Sequence, residues 1–356
     1  MRIVQMLPTM SFGDAVSNDA AAIRQMIREM GYETEIYAEN IDERLPEGSV
    51  KPMLTMRGLT EVDLLIYHGS TGDPMNLWLP SISGRKIMRY HNITPPEFFK
   101  EYSEEATERS ESGLREMKMI SHTFPYGISD SDFNRQGMRK LGFRCPIDVC
   151  PIVIPFEDYE KEPDTEVLQK YQGDGYVNLL FVGRITPNKR QENVIRAFAE
   201  YHREYEAKSR LFLVGSAKGM EGYLARLQKY VKALGIEESV IFPGQISFRA
   251  ILAYYRIADV FLCMSEHEGF CVPIVEAMYF DKPIIALRAA AVPETLGNAG
   301  LLLDDSDPMV AAAAVNRIVK DKDLQEILKN ERRKQLKKYR YEAVSERMKN
   351  CLQKVL

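Results

Sequence analysis

No apolar run approaches the roughly 18 residues a membrane-spanning helix needs, so the chain is not expected to cross a bilayer. No basic stretch with an apolar core precedes the first strand-like run, Arg2-Ile3-Val4-Gln5-Met6-Leu7, so no secretory signal is expected. Cysteine is scarce. The five (Cys145, Cys150, Cys263, Cys271, Cys351) include no C-x-x-C spacing, which excludes a disulfide framework and speaks against a structural zinc site. Their odd number suits a reducing cytoplasm. Net charge is −4, so no nucleic-acid partner is expected. There is no G-x4-G-K-[ST] phosphate loop and no G-x-S-x-G elbow, which removes the P-loop ATPases and the common serine hydrolases. Gly215 to Gly222 follows a strand, but its glycines have G-x3-G-x2-G spacing, a weak dinucleotide signal.

What is present is a long alternation of short apolar runs and amphipathic stretches. The 356 residues suggest two domains at about 150 residues each. Buried strands are expected at 2–7, 34–37, 62–67 and 86–91, with a helix from Asn18 to Met30 stopped by Gly31. The pattern restarts at Val177–Gly183 and continues through strands near 210–214, 240–242, 259–263 and 283–287, with a short one at Leu302-Leu303. Strand–helix alternation of this kind predicts an α/β fold with mainly parallel sheets. The charged, proline-bounded stretch from Pro155 to Asp164 and the turn at Gly173-Asp174-Gly175 suggest a linker over 155–175. The expected domains are therefore 1–155 and 176–335, with a terminal helix over 336–356 packing back on the first.

The stretch from Asp259 to Met278 carries most of the chemistry. A buried strand runs into the polar loop Ser265-Glu266-His267-Glu268-Gly269-Phe270-Cys271-Val272, and Pro273 suits the first turn of the following helix. The helix start offers unpaired N–H donors, a phosphate site at the carboxyl end of a parallel strand. Glu268 and Glu276 frame it. Carboxylates beside a phosphate repel it unless they accept from hydroxyls, so the pattern points to a sugar joined to a phosphate; Glu276 alone could equally be a residue that stabilises the helix dipole. Strand 179–182 ends in Gly183-Arg184, and Lys189 follows on the same loop. Two cations there could neutralise a diphosphate, or could be ordinary surface charges.

Together these residues resemble the nucleotide-sugar domain of the family 4, or group 1, retaining glycosyltransferases. The E-x7-E element is Glu268…Glu276 and the Gly-Arg-x4-Lys element is Gly183-Arg184…Lys189. Phe242-Pro243-Gly244-Gln245-Ile246 resembles the family's base-binding segment, and Ala291-Val292-Pro293-Glu294 the loop after the next strand. The likeness is strong over about 177–305 and weaker over 1–155. It implies two facing Rossmann-like domains, the GT-B fold, with the active site in the interdomain cleft. It implies that Glu276 binds the donor ribose, that Glu268 and the amides of Gly269, Phe270, Cys271 and Val272 face the sugar and its phosphate, that Arg184 and Lys189 hold the diphosphate, and that Gly183, Gly244 and Ile246 line the donor site. Cys271 departs from the family, where glycine is commonest.

In the first domain the family implies a glycine-rich loop, met only in part by Phe12-Gly13-Asp14. Gly13 would let the backbone approach the donor; Asp14 contacts ligand or caps the next helix. His91, at a strand end, is expected to contact the donor sugar, and His68 is a weaker candidate. Asp130-Ser131-Asp132 has the D-x-D form by which the other glycosyltransferase fold binds metal, but its place before Phe133-Asn134 favours helix capping. No metal and no cofactor are expected, because the cations are built in.

The implied reaction is transfer of a sugar from a nucleoside diphosphate sugar, UDP- or GDP-linked, to a hydroxyl of a glycan or lipid-linked acceptor with retained configuration. Alternatives are a nucleotide-sugar 2-epimerase of the same fold and a non-catalytic partner subunit. The basic run Arg332, Arg333, Lys334, Lys337, Lys338 and Arg340 reads as a solvated helix face, or as a patch for peripheral contact with the inner membrane surface. A cytoplasmic location follows from the same reading.

Overall fold

A computed structural model describes residues 1–356. The chain divides into two compact units. The first comprises Met1–Glu97, Glu105–Pro155 and Lys338–Leu356; the second comprises Phe98–Glu104 and Phe156–Lys337.

The first unit holds seven strands: β1 (Arg2–Met10), β2 (Glu33–Ile41), β3 (Lys51–Pro52), β4 (Leu64–Gly69), β5 (Arg85–Tyr90), β6 (Tyr126–Ser129) and β7 (Ile147–Val149). They pair in the order β3-β2-β1-β4-β5-β6-β7, all parallel. Successive residues of β1 face opposite sides, as a pleated strand requires. Ile3 packs with Ile23, Met26 and Ile27 of the helix Ala15–Glu29, whereas Val4 packs with Met75, Leu79 and Met117 on the other face. The helix Tyr341–Gln353 closes the first of these faces with Val344, Met348 and Leu352, and Lys349 pairs with Glu29 at 2.9 Å.

The second unit holds β8 (Val177–Val182), β9 (Ser209–Val214), β10 (Val240–Gly244), β11 (Val260–Cys263), β12 (Ile284–Leu287) and β13 (Leu301–Leu303). Their order is β10-β9-β8-β11-β12-β13, again all parallel. The order reverses direction between β8 and β11, which are direct neighbours through Val260 opposite Leu179. Open α/β sheets bind ligands outside the carboxyl ends of the strands at such a switch point.

Three sequence expectations need correction. The stretch 155–175 is no linker. Tyr171 lies edge-on to Phe212 at 4.9 Å and Tyr159 stacks on Phe248 at 5.8 Å, so this segment is core of the second unit. Its charged residues masked two aromatics that anchor it. The helix start expected at Asn18 lies at Ala15, because Asp14 caps it by accepting from the Ser17 amide at 3.0 Å. The helix capping expected of Asp130-Ser131-Asp132, by contrast, is borne out: Ser131 caps the helix Asp132–Lys140, while Asp130 points into a buried ion cluster. Of the basic run, Arg332 is buried and bonded to Asp281 at 2.8 Å, so it belongs to the core rather than to a solvated face. No helix is long and apolar enough to cross a membrane.

Candidate active site

Residues after β8 and after β11 form one group, because the two loops are stitched by their backbones. The carbonyl of Asn188 accepts from the amides of Glu266 at 3.0 Å and His267 at 3.3 Å. Its side-chain amide donates to the His267 carbonyl at 3.1 Å. Arg190, at φ 50°, adds an ion pair to Glu266 at 2.8 Å and lies over the Phe98 ring at 5.6 Å. Gly215 abuts this crossing so closely that a Cβ there would meet the Gly183 carbonyl oxygen at 1.9 Å.

The stitching sets Lys189 against Glu268, Nζ to Oε2 2.5 Å, with the Glu268 residue only 8% exposed. Burial works against the Lys189 charge, but the Glu268 carboxylate outweighs it and holds the ammonium above its ordinary range. Arg184 leaves the same strand end and is exposed, anchored through its carbonyl by the Gln191 side chain at 2.9 Å. Lys189 is thus locked to a carboxylate, whereas Arg184 faces solvent.

Glu276 sits in the helix Val272–Tyr279, and each of its carboxylate oxygens accepts from a tyrosine: Tyr159 at 2.8 Å and Tyr255 at 2.7 Å. Burial pushes its pKa up, while those two hydrogen bonds pull the other way. The two motif glutamates therefore have different partners, a lysine for Glu268 and two phenols for Glu276. Neither tyrosine was singled out by motif. Tyr159 lies in the supposed linker and Tyr255 reads as an apolar-face residue of its helix; no local spacing signals either.

Cys271 is the N-cap of that helix and adopts φ 76°, a left-handed conformation that glycine takes freely and other residues at a cost of about 1–2 kcal/mol. Cys271→Gly is accordingly expected to raise stability by about 1 kcal/mol, read as a shift in the urea midpoint; an unchanged or lower midpoint would contradict the strain. The Cys271 thiol donates to the Cys263 sulfur, which depresses the Cys263 pKa and raises that of Cys271. Of the other donor-site candidates, Phe270 is buried with its carbonyl bonded to Thr295, Gly269 and Val272 are half-buried, Gly244 takes φ 75°, and Ile246 packs on the second unit's core.

Gly13 and His91 belong to the first unit. Gly13 has φ 77° and open space where a Cβ would stand. His91 is buried at the end of β5, beside His68 at the end of β4. Four groups form a chain: Gln5 Oε1 to His68 Nε2 at 2.9 Å, His68 Nδ1 to His91 Nε2 at 2.9 Å, and His91 Nδ1 to Asp130 Oδ2 at 3.0 Å. Gln5 donates through its nitrogen to the Ala20 carbonyl, so its oxygen must accept from His68. Burial, aided by the neighbouring His91, holds His68 well below the ordinary histidine range, hence neutral. Its Nδ1 then accepts, and His91 Nε2 must donate. Arg89 also pairs with Asp19 at 2.9 Å and Asp130 at 2.9 Å. Both His91 nitrogens are thus bonded within the protein, and a sugar contact through either requires this chain to open.

The fold and site define a class: two Rossmann-like units of the GT-B type, with basic and acidic motif residues at a switch point. Comparison gives the family. Residues 164–339 match the family model for group 1 glycosyl transferases, and the chain is a glycosyltransferase of that group. It is 29% identical over 273 residues to O-antigen chain mannosyltransferase B of Escherichia coli, covering 74% of this chain and 67% of that one. Further curated relatives are matched over about a third to a half of their own length. Among solved structures, a sucrose-phosphate synthase from Thermosynechococcus elongatus superimposes with a TM-score of 0.77 at 19% identity, covering 100% of this chain and 99% of that one. An Anabaena protein solved in complex with UDP-glucose gives 0.76 at 17% identity, covering 99% and 100%.

Proposed function

We propose that the chain transfers a sugar from a nucleoside diphosphate sugar, UDP- or GDP-linked, to a hydroxyl of a glycan or lipid-linked acceptor, with retention of configuration and without a metal. The observation that carries this reading is the pairing of Lys189 with Glu268 beside exposed Arg184 and the start of the helix Val272–Tyr279. As the bond from the donor C1 to oxygen breaks, negative charge builds on the leaving diphosphate. Arg184, Lys189 and the helix N–H groups meet that charge, the electrostatic route to rate. The leaving phosphate takes the acceptor proton, so no protein nucleophile is used. Glu276, oriented by Tyr159 and Tyr255, retains acceptor capacity for ribose hydroxyls. The UDP-glucose bound to the Anabaena neighbour and the mannosyltransferase relative support a nucleotide sugar and a glycan product.

Calorimetric titration of UDP, GDP and ADP in EDTA tests the reading. One diphosphate is expected to bind without metal, which names the base; binding by none of the three would refute the donor site. Arg184→Ala should weaken that diphosphate by about 10–100-fold, the worth of one or two charged hydrogen bonds, and leave the matching nucleoside nearly untouched. Equal weakening of both ligands would remove Arg184 from the diphosphate.

A further inference from the structure

Cys263, Glu268 and Cys271 come together from three places: the last residue of β11, the middle of the following loop, and the N-cap of the next helix. One ligand atom from each lies within 4.8 Å of the others, and all three residues are buried. We propose that this trio is a binding site for a thiophilic divalent ion, zinc or cadmium, and that the ion and Lys189 compete for it.

The donor set argues for the class of ion. Two thiolates and a carboxylate are soft and borderline ligands that favour zinc-like ions over magnesium or calcium. A tetrahedral zinc with bonds of about 2.3 Å to sulfur and 2.0–2.2 Å to oxygen holds its ligand atoms roughly 3.6–3.8 Å apart, inside the observed spread. Three protein ligands leave one position open. The backbone argues that the geometry is held: Cys271 keeps φ 76° with its thiol directed at Cys263. Cys263 itself lies 3.4 Å from the Ser265 hydroxyl, which limits its rotation.

The site already favours positive charge. Lys189 Nζ lies 2.5 Å from Glu268 and is stabilised by both sulfurs as well as by the carboxylate. An entering divalent ion takes Glu268 as a ligand, displaces the Lys189 ammonium and releases the two thiol protons to solvent. Loading therefore removes the lysine from the place where it would meet a diphosphate. Metal binding stands independently of the transfer reading; only this competition rests on it.

The test uses the full chain, stripped by chelator and re-exposed to Zn²⁺ against a chromophoric competitor, with Cd²⁺ as a second probe read through its thiolate charge-transfer absorption. One ion per chain is expected. Cys263→Ala and Cys271→Gly should each weaken binding by roughly 100-fold or more and abolish the charge-transfer band. Cys271→Gly suits its backbone, so loss of binding there cannot be laid to misfolding, and circular dichroism checks both variants. Zinc should inhibit sugar transfer by the wild type but not by Cys263→Ala, whose basal activity stays intact, and excess nucleoside diphosphate should displace the ion. Absence of tight binding, or binding that survives both substitutions, overturns the site; survival would place the ion elsewhere, as on Cys351 and Asp148. Zinc binding by a chain that ignores every nucleoside diphosphate would sink the donor reading and leave the metal site standing.

Discussion

Glu276→Ala is expected to lower kcat/KM for sugar transfer by about 10²–10⁴-fold. A charged hydrogen bond contributes about 1.5–3 kcal/mol, and a carboxylate spanning two ribose hydroxyls makes two. The substitution also strips the Tyr159 hydroxyl of its acceptor and leaves the Tyr255 hydroxyl only the Pro273 carbonyl at 3.3 Å. Each buried phenol left unpaired costs about 1–3 kcal/mol, so the variant should melt earlier as well as turn over more slowly. Two readouts separate these effects. Nucleoside affinity by calorimetry reports the ribose contact alone, and a urea midpoint reports the tyrosine clamp. Glu276→Gln keeps an acceptor oxygen for one tyrosine, and should recover part of the stability while recovering little turnover. A loss of kcat/KM of about tenfold or less would end the ribose assignment.

Arg89→Met is expected to destabilise the first unit by about 3–5 kcal/mol. Arg89 is fully buried and donates to Asp19, to the Cys150 carbonyl at 2.7 Å and to the Pro151 carbonyl at 3.3 Å, besides pairing with Asp130. Burial opposes its charge, but Asp130 and Asp19 outweigh that and hold its pKa above the ordinary value. Removing the guanidinium leaves two buried carboxylates facing each other across the His91 chain. The same reasoning predicts rescue. Asp19→Asn in the Arg89→Met background removes one uncompensated charge and should restore part of the loss. Unfolding in urea, followed by a probe in the first unit, measures both. A loss below about 1 kcal/mol for Arg89→Met would show that the cluster is not carrying charge as described.

The central strands were legible because a parallel sheet covered on both faces demands unbroken apolar runs, such as Leu64-Leu65-Ile66-Tyr67 and Leu179-Leu180-Phe181-Val182. The short strands of the first sheet were not. β6 is four residues long and contains Gly127, where a Cβ would meet the Met138 side chain at 2.8 Å; the glycine makes room for a helix and also erases the strand signal. β3 has only two residues. Within the site, Arg184, Lys189, Glu268 and Glu276 stand out because strand ends and a helix start give them a local setting. Asn188, Tyr159 and Tyr255 escape notice for the opposite reason. Their roles come from partners 21 to 117 positions away, and long-range pairing leaves no local pattern. Arg89 was read as one more strand residue, since nothing in its neighbourhood indicates that Asp19 and Asp130 will meet it.

The segmented build of the first unit has a consequence during synthesis. Its sheet is complete in sequence by Val149, yet the face formed by Ile3, Ile23, Met26 and Ile27 is closed by Val344, Met348 and Leu352. The second unit is translated in between. At about 5–20 residues per second, the roughly 180 intervening residues take on the order of ten to forty seconds to emerge. For that interval the nascent chain carries an open apolar face, the kind of surface that chaperones shield. The second unit, nearly continuous in sequence, faces no such delay and can fold as soon as it clears the ribosome.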